Sequence, residues 1–347
     1  MRESGEDGTT PALTRPGQRQ NEPSSPPLAG PFSRRFGRCP REIPGASSRC
    51  SPGALETAST ASSDRAERGT MSAMSNGPSI QYSTGPFWAY ELAHAMDALA
   101  DAGFKEIEIM VTRDPRTQDP EIPKRLAEER GLHIASIHGP FLVITKNVWG
   151  LDPLEKIRRG VEMCKAVGAT TFIVHPPYLW ERDYARWVTK ESADYSTEHG
   201  VVVAVETMYP KWVAGRQLRA HRWLDPAELA DAAPHVVIDT SHLTVARKDI
   251  LEAFDLLAPK LEHIHLSNNA GDGRDGHLEL ERGILPIDRL LQEVHRIGFS
   301  KAISLELSVI RYLERPDDLR KMLKRSREYV ESRLTGEAKM AKGLPRA

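Results

Sequence analysis

Cysteine is scarce in this chain of 347 residues: Cys39, Cys50 and Cys164 are the whole complement. Three scattered thiols make neither a disulfide framework nor a CxxC motif, which suits a reducing compartment, so a cytoplasmic location is expected. Cys164, in VEMCKAVG, falls on the apolar face of a helical pattern and reads as a plain buried thiol. Long hydrophobic runs are missing too. No stretch approaches the ~20 apolar residues of a membrane-spanning helix, so no membrane partner is expected. An excess of either charge is also missing, because 47 basic residues face 48 acidic ones. That balance excludes a broad polyelectrolyte surface for nucleic acid and leaves room only for a local basic patch. A GxGxxG loop is absent after the first strand-like segment, where STGPFW stands at 83–88. This counts against an open, doubly wound sheet of the dinucleotide-binding kind.

Lysine is absent before Lys105, although the first 74 residues hold ten arginines and eight acids. That stretch is rich in Pro, Gly, Ser and Thr and shows no hydrophobic periodicity, so it cannot bury enough apolar surface to offset its chain entropy. It has no apolar h-region of a secretory signal. Residues 1–76 are therefore read as a disordered segment, or as a misassigned leader ahead of a start at Met71 or Met74. Without the first 74 residues, 37 basic and 40 acidic residues remain, a net charge near −3. Residues 336–347 read as a flexible tail.

Between these ends, over 77–335, strand and helix patterns alternate. Eight short apolar, mostly β-branched segments read as buried parallel strands: 79–85, 106–111, 133–139, 170–176, 201–207, 235–241, 263–268 and 302–308. Amphipathic stretches lie between them. In 152–168, Asp152 supplies an N-cap, Pro153 the first turn and Gly168 the stop. Eight such units in about 260 residues match a (β/α)₈ TIM barrel.

In a barrel the C-terminal ends of the strands share one face, where active sites sit. Read along that face, the segments end in His138, His175, Glu206, Asp239 with His242 behind it, His265, and Glu306; the loop GDGRDGHLEL adds Asp275 and His277. Each alone has a bland reading as a hydrogen-bonded or ion-paired residue. Together, nine imidazole and carboxylate groups on one rim would be costly to bury without partners. Divalent cations, Mn²⁺, Zn²⁺, Co²⁺ or Mg²⁺, are the simplest partner: two or three ions if all nine groups engage, one if only Glu206, Asp239, His265 and Glu306 do. A non-catalytic barrel has no physical reason to keep them. Glu108 is read as a hydrogen-bonding group in the mouth. His94, His199, His221 and His295 are read as surface or helix-end residues, and His133, His235 and His263 as strand starts on the opposite face. The aromatics Tyr178, Trp180, Tyr184 and Trp187 suit either stacking on a ligand or packing in the core. The cations Lys211, Arg216, Arg219 and Arg222 suit either an anion contact or a solvated loop.

The motifs IDTSH (238–242), HIHLSN (263–268), DGHLELERG (275–283) and SLEL (304–307) make the body from about 79 to 334 resemble the xylose isomerase-like barrel superfamily. That superfamily includes sugar phosphate isomerases and epimerases and the abasic-site nucleases of the endonuclease IV type. Resemblance to the epimerase branch implies one divalent metal on Glu206, Asp239, His265 and Glu306, with the two glutamates also moving protons α to a carbonyl. His175 and His242 would then hold substrate oxygens. The expected partner is a small sugar-like molecule, with room for a homo-oligomer. Resemblance to the nuclease branch implies three zinc ions on all nine residues and an abasic-site DNA substrate. There Phe141 and Leu142 resemble an apolar pair used against DNA, and TRDPR (112–116) a basic contact loop. The chain departs from the nuclease pattern at Asn268, at TMYPKW (207–212) and in a first strand without histidine. The isomerase or epimerase reading is preferred, with the nuclease as the alternative.

Overall fold

The computed structural model describes residues 77–213 and 216–335. The expectations for 1–76, for Cys39, Cys50, Met71 and Met74, and for 336–347 lie outside the described residues. The strands are β1 (Ser79–Tyr82), β2 (Glu106–Met110), β3 (His133–His138), β4 (Thr171–Val174), β5 (Val202–Glu206), β6 (Lys211–Val213), β7 (Arg216–Leu218), β8 (Val236–Asp239), β9 (Leu261–Leu266) and β10 (Ala302–Leu305). All but β6 and β7 form one parallel sheet, in the order β1-β10-β9-β8-β5-β4-β3-β2. The seam between β1 and β2 is closed by the Ser83–Glu108 bridge and by the Thr84 N–H donating to the Glu108 carbonyl at 2.9 Å. The result is the TIM barrel expected from the strand count.

The helices are α1 (Leu92–Asp101), α2 (Glu121–Glu128), α3 (Pro153–Val167), α4 (Arg182–Lys190), α5 (Ser192–His199), α6 (Pro226–Ala232), α7 (Thr240–Val245), α8 (Ile250–Leu257), α9 (Ile287–Arg296) and α10 (Pro316–Leu334). The caps on α3 are those legible in the sequence. The Asp152 side chain accepts from the Leu154 N–H at 3.0 Å, and Gly168 ends the helix at φ 83°. Gly160 matters for packing, since a Cβ there would meet the Phe172 ring on β4 at 2.0 Å. Cys164, on the same helix face, is fully buried, and burial pushes its thiol pKa up.

The simple count of eight helices is exceeded in two places. The β4–β5 connection breaks into α4 and α5, and α7 follows β8 without a loop. A further departure is the antiparallel hairpin β6–β7, where the sequence suggested an irregular basic loop.

Period-2 alternation sorts the barrel residues into two cores. Ile107, Ile109, Phe172, Val203, Val205, Ile238, Ile264 and Ile303 face outward and join the large core under the helices. Ile173, Ala204 and Val237 form a separate small cluster inside the barrel. The interior is otherwise polar: Gln81, Glu108, Ser136, His263 and Ser304 are all buried there. One step further along the same faces stand His138, His175, Glu206, Asp239, His265 and Glu306.

Candidate metal centre

Asp239 shows how the site is built. It closes β8 and caps α7, its Oδ1 accepting from the His242 N–H at 2.8 Å. The sequence DTSH thus turns a strand into a helix with no intervening loop. The cap uses one carboxylate oxygen. The other, Oδ2, is buried without a hydrogen-bond partner, 4.0 Å from both His265 Nδ1 and His242 Nδ1.

Glu206, at the end of β5, is the hub. Its Oε1 lies 2.6 Å from His265 Nδ1 and 3.7 Å from His242 Nδ1. Its Oε2 lies 3.3 Å from His138 Nε2 and 3.2 Å from His175 Nε2. Burial opposes its ionisation, but these imidazoles, His265 foremost, hold the carboxyl well below the usual range. Glu306, one residue past β10, lies 3.5 Å from His265 Nδ1, and burial raises its pKa. Burial outweighs Glu206 at His175 and lowers that imidazole to about 4.

The loop after β9 brings the last two residues. The side-chain oxygen of Asn268 accepts from the N–H groups of Asn269 at 2.8 Å and Leu285 at 3.0 Å, pinning both ends of the loop. Asp275 then lies 3.3 Å from His242 Nε2 and 3.1 Å from His277 Nε2. Ser241 Oγ and Tyr209 OH also donate to Asp275, at 2.6 and 3.3 Å. His277 sits at φ 43°, an uncommon backbone for a non-glycine residue. Burial opposes its protonation, but Asp275 raises it to about 10.

All nine rim residues read from the sequence therefore meet at the mouth. One donor atom from each of Glu206, Asp239, His265 and Glu306 falls within a 4.8 Å span, as do donors from His138, Glu206 and His265, and from Asp239, His242 and His277. Three carboxylates and an imidazole suit Mn²⁺, Co²⁺, Mg²⁺ or Zn²⁺. The partnerless Asp239 Oδ2 is the observation that makes the first set fit a cation.

Two histidines depart from their sequence reading. His263 is not at a strand start, because β9 begins at Leu261; it lies inside the barrel, fully buried, two residues before His265 on the same face. The period-2 spacing of HIH was the available signal. His221 is not a surface residue. It stacks on Tyr178 with ring centroids 4.2 Å apart, and its Nε2 is buried without a partner. No sequence signal marked it, since the Tyr178–His221 bridge joins two separate loops. Glu108 hydrogen-bonds as expected, but from within the barrel, one layer below the mouth.

The aromatics divide. Tyr184 and Trp187 are core residues, the Tyr184 OH donating to the His175 carbonyl at 2.8 Å. Tyr178 and Trp180 stack on each other at 4.7 Å beside a pocket of about 250 Å³ that reaches His175 and Phe141. Of the loop cations, Arg219 pairs with Glu228 at 2.6 Å and Arg222 donates to the Leu179 carbonyl at 2.6 Å. Arg116 of TRDPR is held by Asp114 and Glu91. Leu142 is partly exposed, and Phe141 packs on Tyr184.

The sequence profile of the xylose isomerase-like TIM barrel family matches residues 96–329. The chain belongs to this family. An uncharacterised protein of Mycobacterium leprae (strain TN) is 29% identical over 249 residues, covering 66% of this chain and 88% of the relative. An uncharacterised protein of Mycobacterium tuberculosis (strain ATCC 25618 / H37Rv) is 31% identical over 224 residues, covering 59% and 80%. Among solved structures, a D-tagatose 3-epimerase-like protein superposes with a TM-score of 0.55 at 20% identity, over 74% of this chain and 99% of that one. D-allulose 3-epimerase from Methylomonas sp., in complex with D-allulose, gives 0.53 at 17%, over 74% and 97%. At these identities the structural likeness establishes the barrel fold. Among the described residues, no helix is long and apolar enough to cross a membrane.

Proposed function

We propose that this family member is a divalent-metal-dependent sugar or sugar phosphate isomerase or epimerase, acting by proton transfer α to a carbonyl. The observation that carries the reading is the convergence of Glu206 and Glu306, from strands β5 and β10, on one donor set with Asp239 and His265. A divalent cation held by these four residues supplies Lewis-acid stabilisation of negative charge developing on substrate oxygens. Glu206 and Glu306 reach this donor set from β5 and β10, two separate strands of the barrel. Such a pair can serve as base and acid on opposite sides of one carbon. His175, kept neutral by burial, can accept a hydrogen bond from a substrate hydroxyl. The stacked Tyr178 and Trp180 offer an apolar wall to the face of a sugar ring. The names of the structural neighbours, a D-tagatose 3-epimerase-like protein and a D-allulose 3-epimerase, support this substrate class.

The test is deuterium exchange. The full chain, loaded with Mn²⁺ or Co²⁺, is incubated in D₂O with a panel of ketoses and their phosphates. Deuterium should enter the carbon next to the carbonyl of at least one of them, and both EDTA and Glu306→Gln should abolish it. Absence of exchange across the panel sinks the proposal.

A second reading, a zinc phosphodiesterase on abasic-site DNA, draws on two of the three further donor groups, His138–Glu206–His265 and Asp239–His242–His277, the third being Glu108–His263–His265 below the mouth. A single-metal epimerase does not need them as ligands. About three zinc ions per chain, with EDTA-sensitive cleavage of an abasic duplex, would favour it.

A further inference from the structure

The ring of His265 stands between two buried carboxylates. Its Nδ1 lies 2.6 Å from Glu206 Oε1, on the mouth side, and its Nε2 lies 3.2 Å from Glu108 Oε2, on the side of the barrel floor. A neutral imidazole carries one ring proton. If the proton sits on Nε2, it is donated to Glu108 and the Nδ1 lone pair faces Glu206, Asp239 and Glu306. If it sits on Nδ1, it is donated to Glu206, and the same atom can no longer act as a ligand. The choice between these tautomers falls to whichever carboxylate holds the proton better.

We propose that Glu108 is a positioning residue which accepts a hydrogen bond from the Nε2–H of His265 and so presents Nδ1 to the metal centre. The inference rests on the metal reading given above and names a residue outside its ligand set.

The surroundings of Glu108 suit this task. It faces inward on β2 because Ile107 and Ile109 on either side face the outer core. It is fully buried, so no bulk water competes for its oxygens. Ser136 Oγ, on β3, lies 3.0 Å from Glu108 Oε2, the oxygen that faces His265, while Glu108 Oε1 is buried without a partner. His263 Nε2 lies 3.1 Å from the same oxygen, out of hydrogen-bond alignment, and the His263 ring packs edge-on to His265 at 5.0 Å. The His265 ring is thereby held in place as well as in tautomer. An outer carboxylate on a metal-bound imidazole is a recurrent device, and its loss weakens metal binding by about 10–100-fold.

A purely structural ion pair predicts something different, so the test reads metal affinity and stability separately. Mn²⁺ and Zn²⁺ binding to the full chain is measured by calorimetry for the wild type, Glu108→Gln and Glu108→Leu. Thermal unfolding of each is followed in EDTA. Glu108→Leu should bind Mn²⁺ about 10–100-fold more weakly. Glu108→Gln, whose amide oxygen still accepts from Nε2 without the charge, should lie near the lower end, about tenfold. If the leucine variant does not fold, the near-isosteric glutamine variant carries the test alone. Unchanged Mn²⁺ and Zn²⁺ affinity in a folded variant, whatever its melting midpoint, overturns the role of Glu108 and leaves the metal reading intact. A wild type that binds neither ion overturns both.

Discussion

At the strand starts of the barrel, His133 lies 3.8 Å from Glu106, with side chains 56% and 35% exposed. At the strand ends, His265 lies 2.6 Å from Glu206, with side chains 0% and 2% exposed. The residue types are the same and the energetics are opposite. In water an imidazole–carboxylate pair contributes about 0–1 kcal/mol and little holds it in one geometry. In the buried mouth neither partner can be removed without stranding the other, a loss of about 3–5 kcal/mol. The comparison shows that a carboxylate and a histidine make a candidate site only where the fold removes their water and adds further groups of the same kind.

The sharpest way to break this contrast is Glu206→Gln. It takes the central carboxylate from His138, His175, His242 and His265 together. Turnover of any substrate found by deuterium exchange should fall by about 10²–10⁴-fold. Denaturant unfolding of the metal-free protein should show a loss of about 3–5 kcal/mol.

A pH series on the metal-stripped protein sharpens the contrast at intermediate scale. His277 is raised to about 10, so its contribution is complete below the unfolded value of roughly 6.5 and is lost as pH climbs toward 10. His175 is lowered to about 4, so the fold must keep it neutral while the unfolded chain takes up a proton; stability falls as pH drops from roughly 6.5 toward 4. Melting midpoints in EDTA should therefore peak near neutrality and decline on both sides. His277→Gln should make the alkaline limb shallower without removing it, since His242 and His265 are raised as well, and should leave the acid limb unchanged. A midpoint rising steadily from pH 7 to about 10 would contradict the assignment.

The smallest effect is expected at the other end of the barrel. His133→Gln should change stability by no more than about 0.5 kcal/mol and leave metal affinity unchanged. A larger loss would mean that the strand-start pairs are not the solvated counterpart taken here.

Much of the barrel was legible because short β-branched strands and capped helices are local signals. Asp152, Pro153 and Gly168 bounded α3 without reference to anything distant. The hairpin β6–β7 was not legible, because its position depends on Trp212 donating to the Val245 carbonyl at 3.1 Å and on Tyr209 reaching Asp275. Of the site, the nine rim residues were readable from one rule, that parallel strands in a barrel end on the same face. His221 escaped it because it lies in the long connection after β5, and its pairing with Tyr178, from the loop after β4, is what brings it to the mouth. His263 escaped it because an error of two residues in the start of β9 moved it from the interior to the wrong end.

By itself the sequence determined which residues could reach the mouth, since strand direction and period-2 alternation follow from local backbone preference. The Asp239 cap, a contact spanning three residues, is as local, yet the sequence reading carried the strand on to 241 and missed it. Only the tertiary structure decided which groups meet. The pairing of Glu206 with four imidazoles, the partnerless Asp239 Oδ2 and the grip of Glu108 on His265 all join strands far apart in the chain. Their energies depend on exclusion of water by the closed barrel, and closure is a property of all eight parallel strands at once.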